Sequence, residues 1–236
     1  MKIAIMQPYF FPYIGYFQLI HLADRFVLGD EVQYIQQGWI NRNRILKPDK
    51  EGFCYIYIPL KKYSYTTLIK DIYAVEGEAW KEKILRQIEH YKKKAPFYTH
   101  VKALLQNCFN LSSTNITTIN AHCLQQVCQY LGIDKKLEIQ SAMKLDYSNV
   151  HNKEERVIKM CGQLGADEYL NPAGGVELYN KTTFEKQGIK LSFLQTEIKS
   201  YDQHRQSFEP GLSIIDLMMF NSPSDIRQML TNYQLV

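Results

Sequence analysis

Between Gln7 and Tyr16 the chain reads QPYFFPYIGY. Pro8 and Pro12 fix backbone angles there and frame Tyr9, Phe10, Phe11 and Tyr13, with Tyr16 just beyond. A stiff loop holds aromatic faces toward a ligand at a low entropy cost. Gln7 is placed to orient a polar group. Gly15, in the first turn of an expected helix, would let backbone N–H groups approach a phosphate. A second stretch is WINRNRI, Trp39 to Ile45. In extended backbone its side chains alternate, so Arg42 and Arg44 share one face while Trp39, Asn41 and Asn43 share the other. Two guanidinium groups at that spacing suit a diphosphate, and Trp39 suits stacking on a sugar or base. A third is NPAGGVELY, Asn171 to Tyr179, where Gly174 and Gly175 permit close backbone approach to a ligand.

Acid–base candidates are few. Asp30 follows an expected strand and is the candidate general base. His204, in YDQHR, is the second candidate; it shares a face with Asp202 only if that segment is extended. His21 falls on a helix face and reads as structural. There is no phosphate-binding P-loop and no serine in a nucleophile elbow. His122 beside Cys123 lacks a second ligand pair, so no metal is expected. No particular cofactor is implied.

These residues need elements to position them. Ile3–Met6 reads as a buried strand, residues 13–24 as a helix with Ile14, Phe17 and Ile20 on one stripe, and Phe26–Leu28 as a second strand. Together they make a βαβ unit. Residues 30–75 read as antiparallel strands or ordered loops, notably FCYIYI from Phe53. Residues 79–131 read as three helices, the last stopped at Gly132. The β/α alternation then returns, with a strand at Leu137–Ile139, a helix over 153–164 signalled by Asn152 and Glu155, a strand ending at Tyr169-Leu170, a short helix near Phe184 and a strand at Lys190–Phe193. Helices are expected over 213–220 and from Ser222-Pro223 onward. The expected architecture is one α/β domain over 1–236 with a mostly parallel sheet, into which 79–131 is inserted as a helical cap.

Apolar types make up 45% of the 236 residues, enough for a large core. The net charge of +4 is too mild to imply a nucleic-acid partner but suits an anionic small molecule. The five cysteines, Cys54, Cys108, Cys123, Cys128 and Cys161, are odd in number with no C-x-x-C pair, which reads as reduced thiols of a cytoplasmic protein. Met1–Met6 is too short for a signal core, and no run reaches membrane-spanning length. A homo-oligomer is open to it.

The turn Pro12-Tyr13-Ile14-Gly15-Tyr16 is similar in shape to the P-x-x-x-G-H-type turn of the nucleotidyltransferase superfamily, which implies a Rossmann-type fold. Tyr13 and Tyr16 stand where the paired histidines would be. Tyrosine donates hydrogen bonds but is uncharged at neutral pH, so it stabilises a transferring phosphoryl group less well. More broadly, KIAIMQPYFFPYIGYFQLIHLADRFVLGDEVQY, WINRNRI, CGQLGADEYLNPAGGVELY and GIKLSF resemble the WbqC-like family over nearly the whole chain. That resemblance implies a place in O-antigen and related surface-polysaccharide synthesis.

The leading expectation is a transferase that modifies a nucleotide-linked amino sugar, with acyl or aminoacyl transfer as the candidate reaction. Arg42 and Arg44 would hold the diphosphate, and Tyr9, Tyr13, Tyr16 and Trp39 would line the pocket. The alternatives are a nucleotidyltransferase-like enzyme activating a small acid or sugar phosphate, and a non-catalytic protein that binds carbohydrate intermediates.

Overall fold

The computed structural model describes residues 1–48 and 50–236. Strand β1 (Lys2–Met6) runs into helix α1 (Ile14–Leu22), and α1 returns to β2 (Arg25–Leu28). A hairpin follows, β3 (Arg42–Leu46) and β4 (Phe53–Tyr57). Three helices come next, α2 (Ala79–Gln87), α3 (Tyr98–Phe109) and α4 (Ile116–Leu131). Then come β5 (Leu137–Ile139), α5 (Lys153–Gln163), β6 (Glu168–Pro172), α6 (Lys181–Glu185) and β7 (Lys190–Thr196). Two short helices, α7 (Ile214–Phe220) and α8 (Pro223–Met229), lead to β8 (Tyr233–Leu235).

Local chemistry sets the boundaries. Asn152 accepts from the Glu155 amide at 2.9 Å, while the Glu155 carboxylate takes the His151 amide at 2.8 Å. Ser222 and Asp225 form a reciprocal cap around Pro223. Gly132, at φ 67°, ends α4 in the left-handed conformation open to glycine.

The main sheet has the order β5-β2-β1-β6-β7-β8. Its first five strands are parallel, and β8 pairs antiparallel with β7 at one edge. The fold is thus a mixed α/β one with a mostly parallel sheet. Phe26, Val27 and Leu28 of β2 are fully buried, as strands covered on both faces must be. On one face lie α5 and α6, with Val157, Met160, Tyr169, Phe184 and Phe193 in the contact layer. On the other lies a larger core in which Trp80, Val101, Leu105 and Cys123 join the same cluster as Phe10, Phe17 and Ile20. The helices of 79–131 thus share a core with the sheet.

Helix α1 departs from the expected single apolar stripe. Gly15 through Ile20 are all buried, because the helix is enclosed by the sheet and the C-terminal elements. Gln18 is the polar exception: its amide donates to the Met229 and Asn232 carbonyls, both at 2.9 Å.

One topological feature places the site. The chain leaves β1 toward β2 on one side and leaves β6 toward β7 on the other. Strand order therefore diverges between the adjacent β1 and β6, and in open α/β sheets that divergence opens a crevice at the carboxyl ends. No helix among the described residues is long and apolar enough to cross a membrane.

Candidate functional site

A cavity of about 540 Å³ opens at that point. Its floor is the end of β1, Ile5 to Gln7, and the end of β6, Asn171 and Pro172. Tyr9, Tyr13, Gly15 and Tyr16 form one wall, and Trp39, Asn43 and Arg44 form a second. Gly174, Gly175, Leu178 and Tyr179 close the far side, and Ile198 and Gly211 the mouth.

The proline-framed loop is held by buried side chains from distant segments. Asn43 donates to the carbonyls of Phe10 and Phe11, both at 2.9 Å. Ser213 donates to the Phe11 carbonyl at 2.7 Å, and Asn120 to those of Pro8 and Ile40 at 2.8 and 2.7 Å. These anchors hold Phe11 at φ 40°, a conformation bulky residues rarely adopt. The five aromatics divide as a result. Phe10, Phe11 and Tyr16 are buried in the core, Tyr16 at the back of the cavity wall, while Tyr9 and Tyr13 turn to the cavity. Burial raises the Tyr9 hydroxyl above its usual range, with Tyr13 adding to the effect, and raises Tyr16 well above it. Both are neutral hydrogen-bonding groups; the Tyr16 hydroxyl donates to the Gln7 carbonyl at 2.8 Å.

The glycines answer different needs. A Cβ at Gly15 would overlap the Thr196 hydroxyl and the Tyr13 ring, so the bare backbone lets β7 and Tyr13 close on the start of α1. A Cβ at Gly175 would overlap the Asn171 amide oxygen, whereas one at Gly174 meets nothing within 4 Å.

Arg44 is the sole charged side chain among the lining residues. Its guanidinium lies 5.3 Å from the Trp39 ring centre and 4.7 Å from that of Phe53. Nη2 donates to the Gly211 carbonyl at 2.9 Å. Nε is buried and has no hydrogen-bond partner among the described residues. An arginine presents a carboxylate or phosphate with two parallel N–H donors. Here Nη2 is taken by the Gly211 carbonyl, and Nε is enclosed beside the cavity without a partner among the described residues.

A family model matches residues 7–228, which include every segment of this cavity except Ile5 and Met6. The chain belongs to the WbqC-like protein family. It is 30% identical over 220 residues to the uncharacterized protein Rv1507c of Mycobacterium tuberculosis, covering 92% of each chain. No solved structure matches this WbqC-like chain.

The remaining candidates of this WbqC-like protein lie outside the cavity lining. Arg42 shares a strand face with Arg44, yet its guanidinium turns back. Nε donates to the Gly38 carbonyl at 3.3 Å, Nη2 to that of Gln37, and the group stacks 4.5 Å from the Tyr55 ring centre. Asn41 accepts from the Tyr34 hydroxyl at 2.8 Å and donates to the Ile58 carbonyl at 3.0 Å, joining β3 to its surroundings. Asp30 is 1% exposed, and Ser141 satisfies its two oxygens from Oγ at 2.7 Å and the backbone N–H at 3.0 Å. His204, at φ 50°, lies in a separate surface groove with Asp202, 3.4 Å from its carboxylate. The five cysteines are free; Cys54 is half-buried and the rest buried. Burial raises the Cys128 and Cys161 thiols to about 12.

Sequence reasoning missed Ile198 and Gly211, which come from a segment without regular structure. It also missed Asn43's partners. A lone Ser213 or Asn120 in a helical context carries no local signal that its side chain will cap a loop over 100 residues away.

Proposed function

We propose that this cavity binds a phosphate-bearing small molecule of the nucleotide-sugar class, and that the protein is a transferase of surface-polysaccharide precursor synthesis acting in the cytoplasm. The observation that carries the reading is Arg44, the one charged side chain of an aromatic-walled cavity at the divergence of β1 and β6, with Nη2 on the Gly211 carbonyl and Nε without a partner among the described residues. Trp39 and the tyrosines offer stacking surface and neutral donors for a sugar or base. Family membership supports the polysaccharide context. Arg44 alone, rather than an Arg42–Arg44 clamp, takes the anionic group.

A thermal-shift series with UDP-, GDP- and dTDP-sugars, ATP and free phosphate tests this. A ligand at 100 times its Kd stabilises by about 2.7 kcal/mol. Stabilisation by a nucleotide sugar, absent in Arg44→Met, is expected. No shift from any phosphate-bearing ligand rejects the reading.

A second reading is nucleotidyl transfer that activates a small acid or sugar phosphate. Two observations favour it. The parallel strands run in the order β5-β2-β1-β6-β7, diverging between β1 and β6 as in open doubly wound sheets, and the Pro12–Tyr16 turn leads from β1 into α1. The cavity lining contains no carboxylate and no histidine, and phosphoryl-group transfers rest on positioning and electrostatics more than on an acid–base pair. Pyrophosphate release from ATP in the presence of an acceptor would select it over acyl or aminoacyl transfer.

A further inference from the structure

The outer face of the β3–β4 hairpin carries cations laid on aromatic rings. Arg44 lies against Phe53 at 4.7 Å, Arg42 against Tyr55 at 4.5 Å, and Lys83 of α2 against Tyr57 at 4.7 Å. The strand register sets the order, because Arg42 faces Tyr57 and Arg44 faces Tyr55, so each arginine reaches the next ring diagonally. From Phe53 to Tyr57 the stripe runs about 14 Å, at ~3.4 Å per residue. Its inner end, Arg44, is the cavity wall. Tyr55 and Tyr57 are exposed, at 37% and 43%.

Arg25, Lys70, Arg86, Lys102 and Arg156 each have a carboxylate partner, whereas Arg42, Arg44 and Lys83 of this stripe have none among the described residues. Arg42 and Arg44 donate instead to backbone carbonyls, and Lys83 donates to the Tyr57 hydroxyl at 3.1 Å. Three such cations in line, continuous with a cavity, complement a ligand bearing several negative charges. The rings narrow its chemistry. Each has a cation over one face, so the stripe offers charge more than open faces for stacked bases.

We propose that this stripe binds an anionic saccharide chain whose end enters the cavity. The substrate or product is then an acidic or phosphorylated oligosaccharide, larger than a single nucleotide sugar. The inference rests on the cavity reading for the position of its inner end.

Hexagalacturonate, an anionic hexasaccharide, is the probe, with maltohexaose and a dT hexanucleotide as controls. Binding is measured by calorimetry at low and moderate salt. Hexagalacturonate is expected to bind at least tenfold more tightly than either control. The Tyr55→Ala/Tyr57→Ala/Lys83→Gln variant is expected to lose at least tenfold for it while keeping the nucleotide-sugar thermal shift. Lys83→Gln alone, on the exposed side of α2, is expected to lose about threefold and covers the case where the triple variant does not fold. Unchanged binding in the variants, no binding by the wild type, or equal binding of maltohexaose or dT overturns the proposal. No nucleotide-sugar shift in the wild type, together with hexagalacturonate binding that the variants weaken, overturns the cavity reading and leaves the stripe standing.

Discussion

The Asn43 side-chain nitrogen stands 2.9 Å from the carbonyl of Phe11, a residue held at φ 40°. That contact joins the hairpin to the proline-framed loop, and Asn43 Oδ1 meanwhile accepts from the Arg44 amide at 2.8 Å. One buried side chain therefore positions both the aromatic wall and the strand carrying the cavity's cation. Asn43→Ala removes all three bonds and leaves buried backbone groups short of partners, at about 1–3 kcal/mol for each left unsatisfied. Urea denaturation should show a loss of about 2–4 kcal/mol. Asn43→Asp should be worse, since a carboxylate would face two carbonyl oxygens. A loss below about 0.5 kcal/mol for Asn43→Ala would show that the loop holds its shape without it.

Arg44 should act in binding more than in folding. Arg44→Met keeps an unbranched side chain between Trp39 and Phe53 and removes the donors. Its melting temperature should stay within about 3 °C of wild type, while affinity for a phosphate-bearing ligand falls at least tenfold, about 1.4 kcal/mol. Arg44→Lys keeps the charge but not the planar fork, and should recover only part of that loss. Quenching of Trp39 fluorescence on titration reads the difference; equal affinities for wild type and Arg44→Met would remove Arg44 from the site.

Two glycines make a matched pair. At Gly15 a methyl group would collide with the Thr196 hydroxyl and the Tyr13 ring; at Gly174 it enters open space. Gly15→Ala should cost about 1–3 kcal/mol, the usual range for overpacking. Gly174→Ala should fall within about 0.5 kcal/mol of wild type by chemical denaturation, and its effect should show in ligand affinity instead.

The contrast between Arg42 and Arg44 shows where sequence reasoning stops. Period-2 alternation put both on one strand face, and β3 has them there. Alternation does not say where a long side chain bends, and the Gly38 and Gln37 carbonyls draw Arg42 away from the cavity. The parallel strands and most helices were readable because β1, β2 and β7 are short apolar runs and because Asn152, Gly132 and Pro223 punctuate helices. Strand β8 was not, since Tyr233–Leu235 is a three-residue edge element set by pairing with β7. The three motif segments meet in one cavity because each lies at a carboxyl end or beside one. Asp30 also follows a strand, yet Ser141 had already claimed its oxygens, and nothing local to Asp30 announces that.

Asp30 should accordingly behave as a structural residue. It fastens the end of β2 to the turn at 140–142 through Ser141. Asp30→Ala should lower stability by about 1–3 kcal/mol, and Ser141→Ala should reproduce a part of that. Nucleotide-sugar affinity of the folded Asp30→Ala protein should stay within about twofold of wild type. A selective loss of turnover with stability intact would return Asp30 to the chemistry.

Asp216 gives the protein an unusual dependence on pH. It is fully buried on α7 and accepts from Tyr91 at 2.6 Å, Tyr201 at 2.5 Å and Gln203 at 3.1 Å. Burial outweighs those bonds and raises its pKa from 3.8 to about 6. The folded state thus holds the proton more tightly than the unfolded chain does. Stability from this group is greatest below its ordinary value and falls as pH rises from there to about 6, opposite in sign to a salt-bridged aspartate. The shift corresponds to about 3 kcal/mol at ~1.4 kcal/mol per unit. Asp216→Asn keeps the shape and removes the titration, so subtracting its stability from that of wild type cancels the other groups. That difference should widen in favour of wild type by about 2–3 kcal/mol between pH 7 and pH 4. Tyr201 and Gln203 belong to the segment that also brings Ile198 and Gly211 to the cavity mouth, so amide exchange across 197–213 should quicken from pH 5 to pH 7 beyond its intrinsic pH dependence. A difference that stays flat or widens toward high pH would mean that Asp216 is charged in the folded protein across the whole range.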